Sequence, residues 1–330
     1  MKGPDTSHLK IFLKKLKLLH LPLIPLFILL FINQSCDKSE SVSEEQQINI
    51  PENNSWTVKD FSLLHDGKVR EYTLYKPNGF TSNAPLVMLL HGYTSNKDNI
   101  MNYSKMNDLA EAHGFMVCYP QGTVNENTDQ THWNAHLTFS SVDDIGFLSE
   151  LAITIQEEFN TNPKHTFVAG MSNGGFMSYT LACERPDIFK GIASITGTMS
   201  GYDWNNCSPQ QGLSVMQMSG TQDRVVPWDG SMSTQGGWGG APHILQVVDL
   251  WAEVNECTLT ETIDFPNIVT TDNSTASVYK YTTEFDNRQV WFYQIDGGGH
   301  QWAGWGGSGN QDVNASEEIW KFFEKLIINP

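Results

Sequence analysis

Basic residues are scarce in this sequence relative to acidic ones. It has 20 Lys and Arg against 37 Asp and Glu, which gives a formal net charge of −17. Five of the lysines fall within the first 35 residues, so the rest of the chain is more acidic still. A surface of this sign repels phosphate backbones. We therefore expect no nucleic acid among the partners of this protein.

Cysteines are also few, and their spacing matches no zinc-binding pattern. The five are Cys36, Cys118, Cys183, Cys207 and Cys257. Nothing around them indicates a thiol nucleophile, so we expect neither a metal nor another cofactor. With Cys36 set aside, the other four allow three full disulfide pairings, and the sequence leaves the choice open. Cys118 lies in the apolar run FMVCY, which predicts a thiol in the core.

The apolar run near the N-terminus is too short for a membrane-spanning helix, which needs about twenty residues. It covers 21–32, twelve residues, and follows a lysine-rich stretch. These are the dimensions of a secretory signal peptide, which we predict for residues 1–35. The small residue Ser35 directly before Cys36 resembles a bacterial lipoprotein box, in which the cysteine carries lipid. We expect an exported lipoprotein on the outer membrane or cell surface, with a periplasmic or secreted protein as the alternative.

The chain after the signal peptide divides into a tether and a body. Residues 36–55 are polar and acidic, and they cannot bury enough apolar surface to offset the entropy of ordering. We expect them to form a flexible tether. Residues 56–330 show no internal repeat and no separate carbohydrate- or polymer-binding module, so we expect one catalytic domain. We also expect a monomer whose only contact with a membrane is the lipid at Cys36.

Apolar strand-like runs alternate with helical patterns along the body. Strands are predicted at 86–90, 115–119, 165–170, 191–195, 214–218 and 290–295, and helices at 103–113, 143–159, 174–184, 243–256 and 315–327. This alternation predicts an α/β fold, with a mostly parallel central sheet and helices on both faces. Two further strands at 57–64 and 69–76 flank Asp66-Gly67, which predicts an N-terminal antiparallel hairpin.

A Gly-x-Ser-x-Gly motif surrounds Ser172 in the sequence GMSNG. It lies between a predicted strand and a predicted helix, which is the context of a nucleophile elbow in an α/β-hydrolase fold. The turn is tight enough that side chains two positions away from the serine would collide, which explains the glycines. An ordinary strand-to-helix turn is the alternative. We predict that Ser172 is the nucleophile of a serine hydrolase.

A serine hydroxyl needs a base, and in this fold the order along the chain is serine, acid, histidine. His300 follows a predicted strand, and the three glycines before it let the backbone bring the imidazole to the serine. His243 is the rival, but it falls at a predicted helix start. We therefore predict that His300 is the base.

The acid that orients this histidine should follow a strand between the serine and the histidine. Asp223 occupies that position in the loop GTQDRVVP. Asp229 and Asp249 are alternatives, whereas Asp296 lies too near His300 along one strand. Capping of the next turn is another role open to Asp223.

Acyl transfer also needs hydrogen-bond donors for the oxyanion. One should be the backbone N–H of Asn173, directly after the nucleophile. The second should come from the loop after the LVMLL strand, where Tyr93 N–H is the candidate. His91, in the same loop, is then a structural histidine.

Five tryptophans lie in loops near predicted strand ends: Trp133, Trp228, Trp238, Trp302 and Trp305. Tryptophans beside a catalytic histidine offer flat apolar walls for an acyl group or a sugar. Packing of long loops is an equal alternative for each of them. We take Trp133, Trp228, Trp302 and Trp305 as the candidate substrate-binding residues.

Seven segments together carry a family resemblance over roughly residues 65–325: LLHGYTSN, GFMVCYPQG, HWNA, DDIGFLSEL, GMSNGGFMSYTLACERPDIF, GTQDRVVPWDG and GGGHQWAGW. They resemble the esterase family of poly(3-hydroxybutyrate) depolymerases, feruloyl esterases and acetylxylan esterases. The resemblance implies a secreted, metal-free carboxylic-ester hydrolase with its triad on the residues named above. Asp143 and Asp144 match a supporting motif of the family, and we expect helix capping or a structural role. The family often has a cysteine opposite the equivalent of Cys257, but YTTEFD contains none here.

The function predicted from these features is hydrolysis of short or aromatic acyl esters through an acyl-enzyme. The substrates we expect are feruloyl or acetyl esters of plant polysaccharide, with poly(3-hydroxybutyrate) or other polyester oligomers as the alternative. A peptidase of this fold usually carries an additional propeller or cap domain. A non-catalytic binding protein should have lost a member of the triad, and all three are present.

Overall fold

The computed structural model describes residues 57–209, 212–234, 237–304, 306 and 309–328. The predicted signal peptide, the tether, Cys36 and Trp305 lie outside these residues. None of the helices in this described part is both long and apolar enough to cross a membrane.

Ten strands of the described chain form one sheet, and two short strands form a second. The strands are β1 Val58–His65, β2 Lys68–Tyr75, β3 Leu86–Leu90, β4 Met116–Pro120, β5 Thr123–Asn125, β6 Gln130–His132, β7 Thr166–Met171, β8 Gly191–Ile195, β9 Ser214–Gly220, β10 Thr258–Asp264, β11 Thr275–Thr282 and β12 Gln289–Asp296. The large sheet has the order β1-β2-β4-β3-β7-β8-β9-β12-β11-β10, and β5 pairs with β6.

The centre of the large sheet is parallel and its two edges are antiparallel. Five pairings from β4 to β12 are parallel. The four that involve β1, β2, β10 and β11 are antiparallel. The expectation of a parallel sheet therefore holds for the centre, where the strands are buried and almost wholly apolar. Strands β10 and β11 were not predicted from the sequence, and every residue of β10 is exposed.

The predicted N-terminal hairpin is present. β1 and β2 pair along their whole length, and the turn between them is Asp66-Gly67. Both turn residues have positive φ, 47° and 71°. That is the geometry that fits the twist of a two-residue hairpin, and Asp-Gly adopts it readily.

Helices cover both faces of the sheet. They are α1 Lys97–Ser104, α2 Met106–His113, α3 Asp144–Phe159, α4 Asn173–Glu184, α5 Gly201–Asn206, α6 Ile244–Val254 and α7 Ala315–Ile328. Residues of α3, α4 and α6 join one apolar core. Residues of α1, α2 and α7 join the other. Strand β3 supplies both cores in alternation, because successive side chains of a strand point to opposite faces.

One predicted helix, 103–113, is replaced by two. α1 ends at Ser104, and Lys105 has a φ of 54°, in the left-handed region. α2 begins at Met106 and ends before Gly114, whose φ is 75°. The apolar pattern could not reveal this break, because Lys is an ordinary helix residue and the left-handed conformation is uncommon for it.

One disulfide joins Cys183 at the end of α4 to Cys207 after α5. Cys118 and Cys257 are buried free thiols. The prediction of Cys118 as a core thiol is therefore confirmed. The lack of a partner opposite Cys257 in the sequence agrees with its unpaired state.

Candidate active site

Ser172 lies at the turn between β7 and α4, with φ 53° and ψ −118°. This backbone conformation is unfavourable for a residue with a side chain, and such strain is concentrated at functional sites. The glycines around it are sterically required. A Cβ on Gly170 would come within 2.3 Å of Gly174 carbonyl atoms, and one on Gly174 within 2.3 Å of Leu90 O. The turn therefore has the geometry of a nucleophile elbow.

Asp223 and His300 come together from neighbouring strands. β9 and β12 pair in parallel, so the loops that follow them meet at the same edge of the sheet. His300 Nδ1 lies 2.8 Å from Asp223 Oδ2. A carboxylate can only accept, so Nδ1 carries the proton and Nε2 is left as an acceptor.

The other oxygen of Asp223 fixes the carboxylate in place. Oδ1 accepts hydrogen bonds from the backbone N–H groups of Val225, at 2.8 Å, and Val226, at 2.9 Å. The carboxylate is almost fully buried, with 2% of the side chain exposed. Asp223 thus caps the following turn and orients His300 at once, two roles that the sequence analysis treated as alternatives.

The rival acids and the rival histidine have other partners. Asp229 accepts the backbone N–H two residues further on. Asp249 is exposed on α6, and Asp296 accepts from the side-chain amide of Gln294. His243 accepts a backbone N–H at the start of α6. Each of these four side chains either makes a local hydrogen bond or is exposed to solvent.

Ser172 and His300 line the same cavity, which has a volume of about 580 Å³. Tyr93 of the loop after β3 lines it as well. We name this space the His300 cavity, defined by Ser172, Tyr93, His300 and Trp302. The predicted nucleophile, the predicted base and a substrate-sized space are therefore found together.

The loop after β3 passes close to the nucleophile. A Cβ on Gly92 would lie 3.5 Å from Ser172 Cβ, so the next residue, Tyr93, is within reach of the reacting atoms. Asn173 is the first residue of α4, where a backbone N–H has no partner within the helix. The backbone N–H groups of Tyr93 and Asn173 remain the predicted donors for an oxyanion.

His91 and Trp133 hold this loop against the elbow. His91 Nδ1 donates to Gly92 O at 2.8 Å, and Nε2 accepts Gly122 N–H at 2.9 Å. Burial lowers the pKa of His91 to about 4, so the ring stays neutral and structural, as expected. Trp133 Nε1 donates to His91 O at 2.9 Å.

Trp133 also exchanges two hydrogen bonds with the side chain of Asn173. Its N–H donates to Asn173 Oδ1 at 2.7 Å, and its carbonyl accepts from Asn173 Nδ2 at 3.0 Å. The ring has no exposed surface. The proposed contact of Trp133 with substrate does not fit this placement, because the residue lies in the core and ties the oxyanion loop to α4.

A family model described as Esterase PHB depolymerase matches residues 70–260, more than half of the 330-residue chain. The chain belongs to this esterase family. The match includes Ser172 and Asp223 and ends before His300. The assignment of His300 as the base therefore rests on the geometry of the site.

Relatives within the family act on different esters according to their names. Feruloyl esterase B of Piromyces equi is 27% identical over 191 residues, 55% of this chain and 35% of its own. Poly(3-hydroxyalkanoate) depolymerase C of Paucimonas lemoignei is 30% identical over 124 residues, 37% of this chain and 30% of its own. The chain spans about half the length of the curated relatives it matches. The alignments with three other relatives cover 48%, 44% and 60% of those proteins.

The solved structure of an acetyl xylan esterase from Aspergillus awamori has the same fold. It matches 82% of this chain and 100% of its own, with a TM-score of 0.59 and 15% sequence identity. The prediction of an α/β-hydrolase fold is confirmed.

The tryptophans predicted to bind substrate lie in different surroundings in the structure. Trp302 lines the His300 cavity, although only 2% of it is exposed, and its Nε1 donates to Ser316 Oγ. Trp228 packs on Phe292 with ring centroids 5.6 Å apart and does not line a cavity beside Ser172, so its predicted contact with substrate does not fit this placement. Trp305 lies outside the described residues. Trp238, which was not selected from the sequence, lines a second cavity beside Ser172.

This second cavity has a volume of about 510 Å³ and is lined by Ser172 but not by His300. We name it the Trp238 cavity, defined by Ser172, Phe176, Val226 and Trp238. Tyr93 lines it too, so Tyr93 and Ser172 are shared by both cavities. No group of three or more His, Cys, Asp or Glu side chains in the described part of the chain could hold a metal ion.

The two aspartates of the family motif DDIGF have structural roles, as expected. Asp143 caps α3, and its Oδ1 accepts Gly146 N–H at 2.8 Å. Asp144 is fully buried and lies 2.6 Å from the guanidinium of Arg70. Burial raises the pKa of Asp144, and the positive charge of Arg70 opposes that rise. The pair joins β2 to α3.

Proposed function

We propose that this protein is a serine carboxylesterase that works through an acyl-enzyme. The observation that carries the proposal is the arrangement around Ser172. The strained serine shares a cavity with His300, whose Nδ1 is held by the buried Asp223. We assign the backbone N–H groups of Tyr93 and Asn173 as the oxyanion donors, since Asn173 directly follows Ser172 and the loop of Tyr93 passes close to it.

The proposed steps of ester hydrolysis follow from the hydrogen bond between His300 Nδ1 and Asp223, which leaves Nε2 as an acceptor. His300 Nε2 accepts the proton of Ser172 Oγ as that oxygen attacks the ester carbonyl. The negative charge that develops on the carbonyl oxygen is stabilised by the N–H groups of Tyr93 and Asn173. His300 then gives the proton to the departing alkoxide, and the acyl group stays on Ser172. His300 next takes a proton from water as the water oxygen attacks the acyl carbonyl. The bond between the acyl carbon and Ser172 Oγ then breaks, and His300 returns the proton to Oγ.

Short or aromatic acyl esters of plant polysaccharide are the proposed substrates, feruloyl and acetyl esters in particular. Both cavities combine aromatic rings with polar residues. Aromatic rings suit phenolic and sugar rings, and polar groups suit hydroxyls. Polyester oligomers are the second candidate, because the relative with 30% identity is a poly(3-hydroxyalkanoate) depolymerase.

A panel of esters tests this function. We expect specificity constants for methyl ferulate and nitrophenyl acetate to exceed that for a nitrophenyl ester of twelve carbons or more by at least about tenfold, because neither cavity offers the broad apolar surface that a lipid needs. A peptide anilide should not be cleaved. A preference for the long-chain ester would contradict the proposal. Cleavage of hydroxybutyrate trimers alone would favour the depolymerase.

We further propose that the enzyme is exported and that Cys36 is lipidated. The disulfide Cys183–Cys207 supports export, since disulfides persist in oxidising compartments. Mass spectrometry of the mature protein purified from membranes should show a chain that begins at Cys36 with a mass increase from acyl chains. A mature chain that begins after Cys36, or an unmodified Cys36, would leave export without an anchor.

A further inference from the structure

The two cavities meet at the nucleophile, but only one of them contains the base. Ser172 and Tyr93 line both cavities, whereas His300 lines the His300 cavity alone. A scissile carbonyl at Ser172 would therefore lie at the junction, with its oxygen near Tyr93 N–H. The two halves of the ester must then extend into different cavities.

Proton transfer decides which half goes where. The proton that His300 takes from Ser172 must pass to the oxygen of the departing alcohol, so that oxygen must come within hydrogen-bond reach of His300. We propose that the alcohol occupies the His300 cavity and the acyl group occupies the Trp238 cavity, with Trp238 setting a preference for acyl groups that contain an aromatic ring. This assignment rests on the proposed esterase function and specifies how its substrate is bound.

The Trp238 cavity is built for a ring. Trp238 packs edge-on against Tyr93 and Phe176, with ring centroids 5.4 and 5.9 Å away. Val226 and Met232 add aliphatic surface. Aromatic pairs at such distances and angles contribute beyond their buried area, so a ring in the ligand can extend the same packing. A two-carbon acyl group would leave most of the 510 Å³ unfilled.

The position of Trp238 is fixed by its neighbours. Gly237 O, directly before it, accepts Thr138 N–H at 3.0 Å. Gly237 has a φ of 82°, and a Cβ there would come within 2.7 Å of the Phe139 ring. The Trp238 ring itself lies 5.8 Å from that of Phe139. The wall of the cavity is thus held in place before an acyl group enters.

The lining of the His300 cavity includes several polar residues, which suit a sugar alcohol. These include the side chains of Ser95, Asn99, Asn102, Lys105 and Gln301. Tyr103 and Trp302 provide aromatic surface beside them. Amides with an adjacent aromatic face can bind hydroxyls and the apolar face of a pyranose together.

Two ratios of specificity constants test the assignment. The acyl ratio compares methyl cinnamate with methyl propanoate, which share one alcohol. The alcohol ratio compares a sugar ester of ferulate with methyl ferulate, which share one acyl group. We expect Trp238→Ala to lower the acyl ratio about tenfold through the lost ring contacts and to leave the alcohol ratio within about twofold. Asn102→Ala should lower the alcohol ratio about threefold and leave the acyl ratio unchanged.

Trp228→Ala is the matched control, because Trp228 packs on Phe292 and does not line either cavity. It should change neither ratio. Trp238→Phe keeps a ring at the wall of the cavity and should retain most of the acyl ratio. This variant tests the assignment even if the alanine variant misfolds.

The outcomes separate the assignment from the proposed function. If Trp238→Ala moves the alcohol ratio and Asn102→Ala the acyl ratio, the two cavities are reversed and the assignment is wrong. It is also wrong if the folded Trp238→Ala protein keeps both ratios, or if Trp228→Ala matches its effect. A wild-type protein that hydrolyses none of these esters contradicts the esterase function itself, and the assignment with it.

Discussion

Ser172→Ala will lower kcat for ester hydrolysis by about a million-fold. The substitution removes the only atom that forms the acyl-enzyme bond and leaves the oxyanion donors and His300 in place. Measurement of turnover on methyl ferulate, together with labelling by a serine-reactive phosphonate, checks this result. Labelling should be stoichiometric in the wild type and absent in the variant.

The fold should survive this change. Ser172 has a positive φ of 53°, and alanine meets the same steric cost as serine there. The side chain of Ser172 forms no structural hydrogen bond within the described residues. Ser178→Ala is the matched control, since Ser178 is buried in α4, the helix that follows Ser172, and its hydroxyl donates to Gly174 O. Turnover above about one percent in Ser172→Ala, in a preparation free of wild type, would contradict the assignment of the nucleophile.

The arrangement of Ser172, Asp223 and His300 could be predicted from the sequence because each of these residues has a strong local pattern. The glycines around Ser172 report a steric limit that the structure confirms, with approaches of 2.3 Å for added Cβ atoms. Asp223 and His300 each follow an apolar strand, and parallel strands bring their loops to the same edge of the sheet. The contact between Asp223 and His300 follows from this topology, even though 77 residues separate them.

The substrate walls could not be predicted in the same way, because burial of a loop tryptophan depends on distant partners. Trp133 and Trp238 both lie in polar, glycine-containing loops. Trp133 is held in the core by Asn173 and His91, whereas Trp238 faces a cavity. No local pattern distinguishes them. The break at Lys105 and the exposed strand β10 were not predicted from the sequence for a related reason, because neither has an apolar period to reveal it.

Asp223 determines which nitrogen of His300 carries a proton. Its Oδ1 is held by the N–H groups of Val225 and Val226, which leaves Oδ2 to accept from His300 Nδ1. In Asp223→Asn, the amide oxygen should keep the two backbone donors, because an amide nitrogen cannot accept them. The amide NH₂ would then face His300 Nδ1 and donate to it. The proton of the ring would move to Nε2, the atom that must accept the proton of Ser172.

We therefore expect Asp223→Asn to lower kcat by about 10³- to 10⁴-fold while KM changes by less than about fivefold, since the substrate cavities are untouched. The variant should keep its stability, because the backbone hydrogen bonds and the shape of the side chain remain. Asp229→Asn is the matched control: it lies on the same loop, caps only its own turn and should retain wild-type kcat. NMR of the ring nitrogens of His300 should show Nδ1 protonated in the wild type and Nε2 protonated in Asp223→Asn. A large loss in Asp229→Asn or Asp249→Asn, with Asp223→Asn active, would show that another carboxylate orients the base.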